Sequence, residues 1–153
     1  KSLTLLTPSW PDSGINCPRA LELIPTLTPS LIKLAEELNH KGSFFLFHPW
    51  INVYNEYSHQ EVHEHVRSDM SAVFFMNHGE NFSKFYFRDR FSCFLSSDTR
   101  RVLKYSDSHV LDNVRAGDII FFPSNFYHGV NPHKSKEVRK TMSFNFNFEF
   151  DDS

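Results

Sequence analysis

The stretch 59–69, H-Q-E-V-H-E-H-V-R-S-D, carries three of the chain's nine histidines. His63 and His65 are two residues apart, and on a β-strand positions i and i+2 face the same side. Two imidazoles aimed at one point are an arrangement that a divalent metal can use. A third candidate ligand comes much later, at His128, inside F-F-P-S-N-F-Y-H-G-V. Glu64 and Asp69 are the nearby carboxylates. Glu64 points away from the pair on a regular strand, which ranks it below His65. Taken alone, an H-x-H in a His-rich stretch also fits a solvated cluster. Of the other histidines, His48, His59, His78, His109 and His133 read as surface or supporting residues.

The scaffold must bring His128 back to His63 and His65. Residues 1–30 hold five of the eight prolines, Pro8, Pro11, Pro18, Pro25 and Pro29, and read as an extended arm. Thr28-Pro29-Ser30 then opens a helix, with Leu31, Leu34, Ala35 and Leu38 recurring at helical spacing. His40-Lys41-Gly42 ends it. From Ser43 onward the period changes to two. Strands are expected over 44–48, 50–55, 60–65, 71–77, 84–88, 119–122, 125–130 and 138–150, with weak pairing at 109–114. Residues 91–105 read as a long loop with one edge strand.

The last strand divides cleanly. Met142, Phe144, Phe146, Phe148 and Phe150 share one face, and Arg139, Thr141, Ser143, Asn145 and Asn147 share the other. A row of Phe on one side and of Thr, Ser and Asn on the other predicts a packed layer on one face and a polar lumen on the other. The pattern as a whole predicts a mainly β, double-sheet jelly roll with one helix packed on a sheet.

Composition narrows the function classes. The chain has 153 residues, enough for one domain spanning 1–153: an N-terminal arm and helix over 1–42 and a β core over 43–150. Apolar residues make up 40%, and 17 residues are Phe, which favours strands. A net charge of −2 gives no argument for nucleic acid or an anionic membrane. Cys17 and Cys93 form no CxxC, so a disulfide framework is not expected and a reducing, cytoplasmic setting is the default. Leu3 to Leu6 is too short for the apolar core of a secretion signal, and no run approaches the roughly 18 apolar residues of a membrane span. A chain opening on Lys1 reads as trimmed. Without a secretion signal, the Asn81-Phe82-Ser83 sequon carries little weight.

The ordered motifs W-x-N at Trp50–Asn52, H-x-H at His63–His65, S-x-V-F-F at Ser71–Phe75, G-D-I-I-F-F-P-S-N-F-Y-H-G-V at Gly117–Val130 and R-x-T-x-S-F-N at Arg139–Asn145 resemble the Fe(II)/2-oxoglutarate-dependent oxygenases. The resemblance spans roughly residues 43–148 and is to a small prolyl-hydroxylase-like branch common in phages and marine bacteria. It implies a double-stranded β-helix, and a bacterial cytosol or phage-infected host as setting. It implies Fe(II) held by an H-x-D/E…H triad, with His63 at the first position and His128 at the distal one. His65 stands where most of the superfamily has a carboxylate. It implies that Arg139, eleven residues past His128, grips the far carboxylate of 2-oxoglutarate, with Thr141 beside it on the same face. A planar guanidinium suits this role because it gives two parallel hydrogen bonds. Asn52 and Tyr54 share a face with Trp50 and could line the pocket.

The resemblance also implies the reaction. 2-Oxoglutarate and O₂ are consumed, succinate and CO₂ are released, and a C–H bond is hydroxylated, with no essential protein acid or base beyond the metal ligands. The substrate is open between a small molecule, an amino acid and a peptidyl side chain such as proline. Small jelly rolls often pair through an exposed sheet, so a homodimer is one expectation. Two rival readings remain. A cupin-like three-His dioxygenase without 2-oxoglutarate explains the H-x-H but not Arg139 or Thr141. A non-catalytic jelly-roll binding module predicts no O₂ consumption.

Overall fold

A computed structural model describes residues 5–6, 20–47 and 49–150. Most of the arm expected over 1–30 lies outside these residues, as do Cys17 and His48. The described chain forms three layers: one long helix, a major sheet and a minor sheet. Helix α1 is Ala20–Glu37. The strands are β1 (Leu5–Leu6), β2 (Ser43–Leu46), β3 (Trp50–Tyr54), β4 (Gln60–His63), β5 (Met70–Phe75), β6 (Phe85–Arg88), β7 (Ser108–Val110), β8 (Ile119–Pro123), β9 (Tyr127–Val130) and β10 (Arg139–Glu149). A second helix, α2, is Ser97–Leu103. The jelly-roll expectation is met.

Strand β10 is the axis of the major sheet, whose order is β1-β2-β10-β5-β8 with β3 also on β10. Its first half pairs with β3, Arg139 opposite Tyr54 and Ser143 opposite Trp50. Its second half pairs with β2, Phe146 opposite Leu46. Its other edge pairs with β5 from Thr141 to Phe146. These pairings are antiparallel; β1 lies parallel to β2. The minor sheet has the order β4-β9-β6-β7.

The predicted division of β10 holds. Phe144 and Phe146 pack with Phe44, Leu46 and Ala72 under Leu27, Leu31 and Ala35 of α1. The next residue of β5, Val73, points the other way and joins Tyr54, Phe75, Phe85, Phe122 and Val130 between the sheets. Alternation along each strand thus builds two apolar layers on opposite faces of one sheet.

Three local expectations need correction. Helix α1 begins well before Thr28 and contains Pro25 and Pro29. Proline's fixed φ is compatible with a helix, and burial of Leu27 and Leu31 against the sheet outweighs the missing N–H donors. The helix ends at Glu37, and Asn39 rather than Gly42 is its left-handed stop. Asn39 takes a left-handed φ of 51°, while His40 N–H donates to Ala35 C=O and Asn39 N–H to Glu36 C=O, a Schellman closure. Gly42 serves a close approach instead. A Cβ there would lie 1.8 Å from the Glu149 carbonyl oxygen, so only glycine lets this loop meet the end of β10. Finally, residues 91–105 are a 3-10 turn and α2, not a loop with an edge strand. Ser96 caps α2 by accepting from Thr99 N–H, Asp98 sits in the first turn, and Arg100 and Arg101 lie in the last. No helix among the described residues is long and apolar enough to cross a membrane.

Candidate metal and carboxylate site

The structure brings His63, His65 and His128 together: one ligand atom from each lies within 4.8 Å of the other two. The route to this cluster differs from a plain H-x-H strand. His63 is the last residue of β4, and His65 lies beyond it. Gln60 pairs with Val130 and His63 with His128, so three steps on β4 match two on β9. This irregularity turns His63 to the same side as Gln60, and both line the cavity between the sheets. Gly129 permits the tight crossing, since a Cβ there would meet the Tyr86 ring and the Gln60 carbonyl.

His65, off the strand, is pinned by a residue that sequence reasoning misses. Ser124 is fully buried in the β8–β9 turn. Its carbonyl accepts from His65 N–H at 2.8 Å, and its N–H donates to Asp69 C=O at 3.0 Å. Its hydroxyl lies 2.7 Å from the Ser71 hydroxyl and accepts from Ser68. The one signal for it is its place inside the F-F-P-S-N-F-Y-H segment.

The tautomers suit metal binding. His63 Nδ1–H donates to the Glu61 carbonyl and His128 Nδ1–H to the Phe126 carbonyl, each at 2.8 Å. That leaves both Nε2 lone pairs free, with the rings oriented by backbone. Burial, reinforced by the neighbouring His63 and His65, pushes His128 down to about 4 against the opposing Phe126 hydrogen bond. Burial and then His63 also lower His65. Both rings are therefore neutral near pH 7. Phe85 stacks on His128 at 5.4 Å and Phe122 meets it at 4.8 Å. Glu64 lies outside the cluster, 3.9 Å from Arg90.

Arg139 lines the same cavity, of about 320 Å³. It is 3% exposed, and its Nη1 has no hydrogen-bond partner. Its guanidinium stacks over the Tyr54 ring at 4.7 Å and the Phe75 ring at 5.6 Å. No carboxylate among the described residues pairs with it. Burial lowers its affinity for the proton, partly offset by Tyr54. Burial raises Tyr54 above the ordinary value of 10.0, opposed by Arg139 and Thr141. Asn52 Nδ2 donates to Thr141 Oγ1 at 3.2 Å and to Ser143 Oγ at 2.9 Å. Thr141 is also hydrogen-bonded to Tyr54, so its hydroxyl is shared between two neighbours in the cavity.

Of the remaining histidines, His59, His78 and His109 are exposed as expected, and His133 is a correction. It is fully buried: Nδ1 accepts from Ser83 N–H at 3.1 Å and Nε2–H donates to the Glu137 carbonyl at 2.7 Å. Both ring nitrogens are spent on joining the 131–137 loop to the start of β6. Lys84 and Arg88 are paired at the surface with Asp112 and Asp107.

Comparison with known proteins bears on this geometry. A sequence family described as "Putative 2OG-Fe(II) oxygenase" matches residues 48–145. No curated protein matches by sequence. Among solved structures, an oxidoreductase of the 2OG-Fe(II) oxygenase family from Burkholderia pseudomallei superposes with a TM-score of 0.66 at 12% identity, covering 88% of this chain and 59% of that one. A Pseudomonas putida prolyl-4-hydroxylase gives 0.52 at 17% identity, covering 81% and 63%. HygX from Streptomyces hygroscopicus, with nickel and 2-oxoglutarate bound, gives 0.51 at 10% identity, covering 70% and 57%. At these identities the likeness is one of fold. The chain spans about three-fifths of the length of these three structures.

Proposed function

The chain belongs to the 2OG-Fe(II) oxygenase family, and from that premise we propose that it is an Fe(II)- and 2-oxoglutarate-dependent dioxygenase that hydroxylates a C–H bond of an organic substrate. The observation that carries the reading is Arg139, a buried guanidinium with an unpartnered Nη1 in the cavity that the three imidazoles share. A buried cation without a counter-charge is costly, and a carboxylate ligand removes that cost through charge-assisted hydrogen bonds. A three-His site without 2-oxoglutarate leaves Arg139 without a role.

His63, His65 and His128 would hold the metal, each as a neutral imidazole. Arg139 and Thr141 would take the far carboxylate of 2-oxoglutarate, Arg139 as cation and Thr141 as hydroxyl donor. Asn52 orients the Thr141 hydroxyl, and Tyr54 supports the Arg139 guanidinium from its ring face. Bound there, iron with 2-oxoglutarate and O₂ supplies the oxidising power that yields succinate and CO₂ and places one oxygen atom in the substrate. Three neutral ligands would bring the metal no negative charge, and the co-substrate's near carboxylate would supply it. Phe85 and Phe122 keep water from the back of His128. The protein positions and shields, and no side chain is assigned as acid or base.

The deciding experiment is anaerobic loading with Fe(II) followed by 2-oxoglutarate. A weak visible charge-transfer band is expected. His63→Ala and His128→Ala are expected to lose iron binding while far-UV circular dichroism is retained. Iron binding without the band would hand the site to the cupin-like reading. Full metal affinity in either variant would remove the triad.

A further inference from the structure

The substrate's own binding surface rests on the oxygenase reading and can be argued from a second concavity. The polar cavity that would hold 2-oxoglutarate is small, so most of a substrate must lie outside it. A groove of about 520 Å³ lies at the end of the minor sheet, where residues 125–127 lead into His128. Register fixes the adjacency: Phe87 pairs with His128, and Arg88 with Tyr127. Phe87, Phe91, Phe126 and Tyr127 line the groove. The Phe126 carbonyl is the acceptor that orients His128. Arg90 lies 4.8 Å over the Tyr127 ring and 3.9 Å from Glu64, the residue between His63 and His65.

The groove is preformed. Arg100 donates to the carbonyls of Leu95 and Ser92 and fastens α2 to the 3-10 turn that carries Phe91 towards the rim. Tyr105 donates to Asp89. The charges around it are balanced: Arg88 pairs with Asp107 at 3.3 Å, and Arg90 reaches Glu64 and the Tyr127 hydroxyl. The groove therefore offers no net charge to an ionic ligand. It offers aromatic faces left in water, with Phe91 63% and Phe126 50% exposed. A cleft of several hundred cubic ångströms with four aromatic rings among polar and charged side chains has the form of a small-molecule pocket, larger than a free amino acid fills.

We propose that this groove binds the body of the substrate, an uncharged, ring-bearing small molecule that lies against Phe91, Phe126 and Tyr127 and turns its reactive C–H towards the histidines. The test uses 2-naphthol as probe on the metal-free full chain, followed by amide chemical shifts. Saturable binding is expected, with perturbations centred on residues 87–91 and 125–127. Phe91→Ala and Phe126→Ala should each weaken it at least tenfold; both side chains are exposed, so the fold survives the change. Ile32→Ala, on the solvent side of α1, should leave it unchanged. Absence of saturable binding, shifts centred elsewhere, or indifference to both Phe variants would overturn the proposal. So would displacement of the probe by a proline-rich decapeptide at lower concentration than by a second aromatic ring compound. Because the probe is bound without metal, failure here with the charge-transfer band intact overturns the groove alone. A missing band overturns the oxygenase reading and, with it, the groove's role as a substrate site.

Discussion

The two faces of β10 are made by the same backbone and differ in almost every other respect. On one, Phe144 and Phe146 are sealed beneath α1, with Phe44 and Phe121 meeting Phe146 at 5.2 and 6.1 Å. On the other, Arg139, Thr141, Ser143 and Asn145 line a cavity. The first face is non-directional: rings of the right size in contact suffice. The second is directional: Asn52 serves Thr141 and Ser143, Ser71 donates to Asn145, and Arg139 Nη1 is left without a partner. Stability is concentrated on one side of the strand and unsatisfied binding capacity on the other. That separation lets a small protein keep a buried, unpaired cation without coming apart.

The comparison can be broken most severely at Phe146. Phe146→Ala should cost about 3–5 kcal/mol of stability, read as a lower urea midpoint, with iron and 2-oxoglutarate affinity unchanged in the folded fraction. A loss of ligand affinity at full folding would mean that the two faces are coupled. Arg139→Met is the converse probe. It should weaken 2-oxoglutarate by roughly 100-fold, about 2–3 kcal/mol for charge-assisted hydrogen bonds, by calorimetry of the anaerobic iron protein. Its urea midpoint should hold or rise, because an uncompensated buried charge has gone. Unchanged affinity would remove Arg139 as the carboxylate anchor.

Asn52→Ala should cost about 1 kcal/mol of stability and lower 2-oxoglutarate affinity a few-fold, since Thr141 loses its orienting donor. Equal affinity would make Asn52 a purely structural residue. The smallest effect belongs to Tyr54. Its folded-state affinity for the proton is raised, so above pH 10 the unfolded chain loses that proton first and stability falls as pH climbs. Urea midpoints between pH 9.5 and 11 should fall more for the wild type than for Tyr54→Phe. Parallel curves would show that Tyr54 is not held neutral by its burial.

Where side-chain period decides structure, the sequence could be read. The two-residue alternation along β10 announced both faces, and the strands around it followed from the same period. The three histidines were found as residue types, and Arg139 through the family resemblance. What escaped was decided by other means. Pro25 and Pro29 look like breakers, yet tertiary burial of Leu27 and Leu31 keeps them helical. Asn39 closes α1 because its neighbours' carbonyls are in reach, a fact of three dimensions. The irregular pairing in β4 and the Ser124 clamp on His65 depend on strands distant in sequence. His133 looked like one more polar-loop histidine, and both its partners are set by the folded loop.

The position of β10 also governs the order in which the molecule can assemble. It is the last strand described, yet β2, β3 and β5 all pair with it. During synthesis these earlier strands leave the ribosome with apolar faces and open edges and cannot complete the major sheet until residues near 149 emerge. Their ladder is almost wholly long-range, which makes closure slow and leaves the nascent chain exposed to misassociation. The strand that divides packing from binding in the finished protein is also the one whose late arrival commits the chain to fold at all.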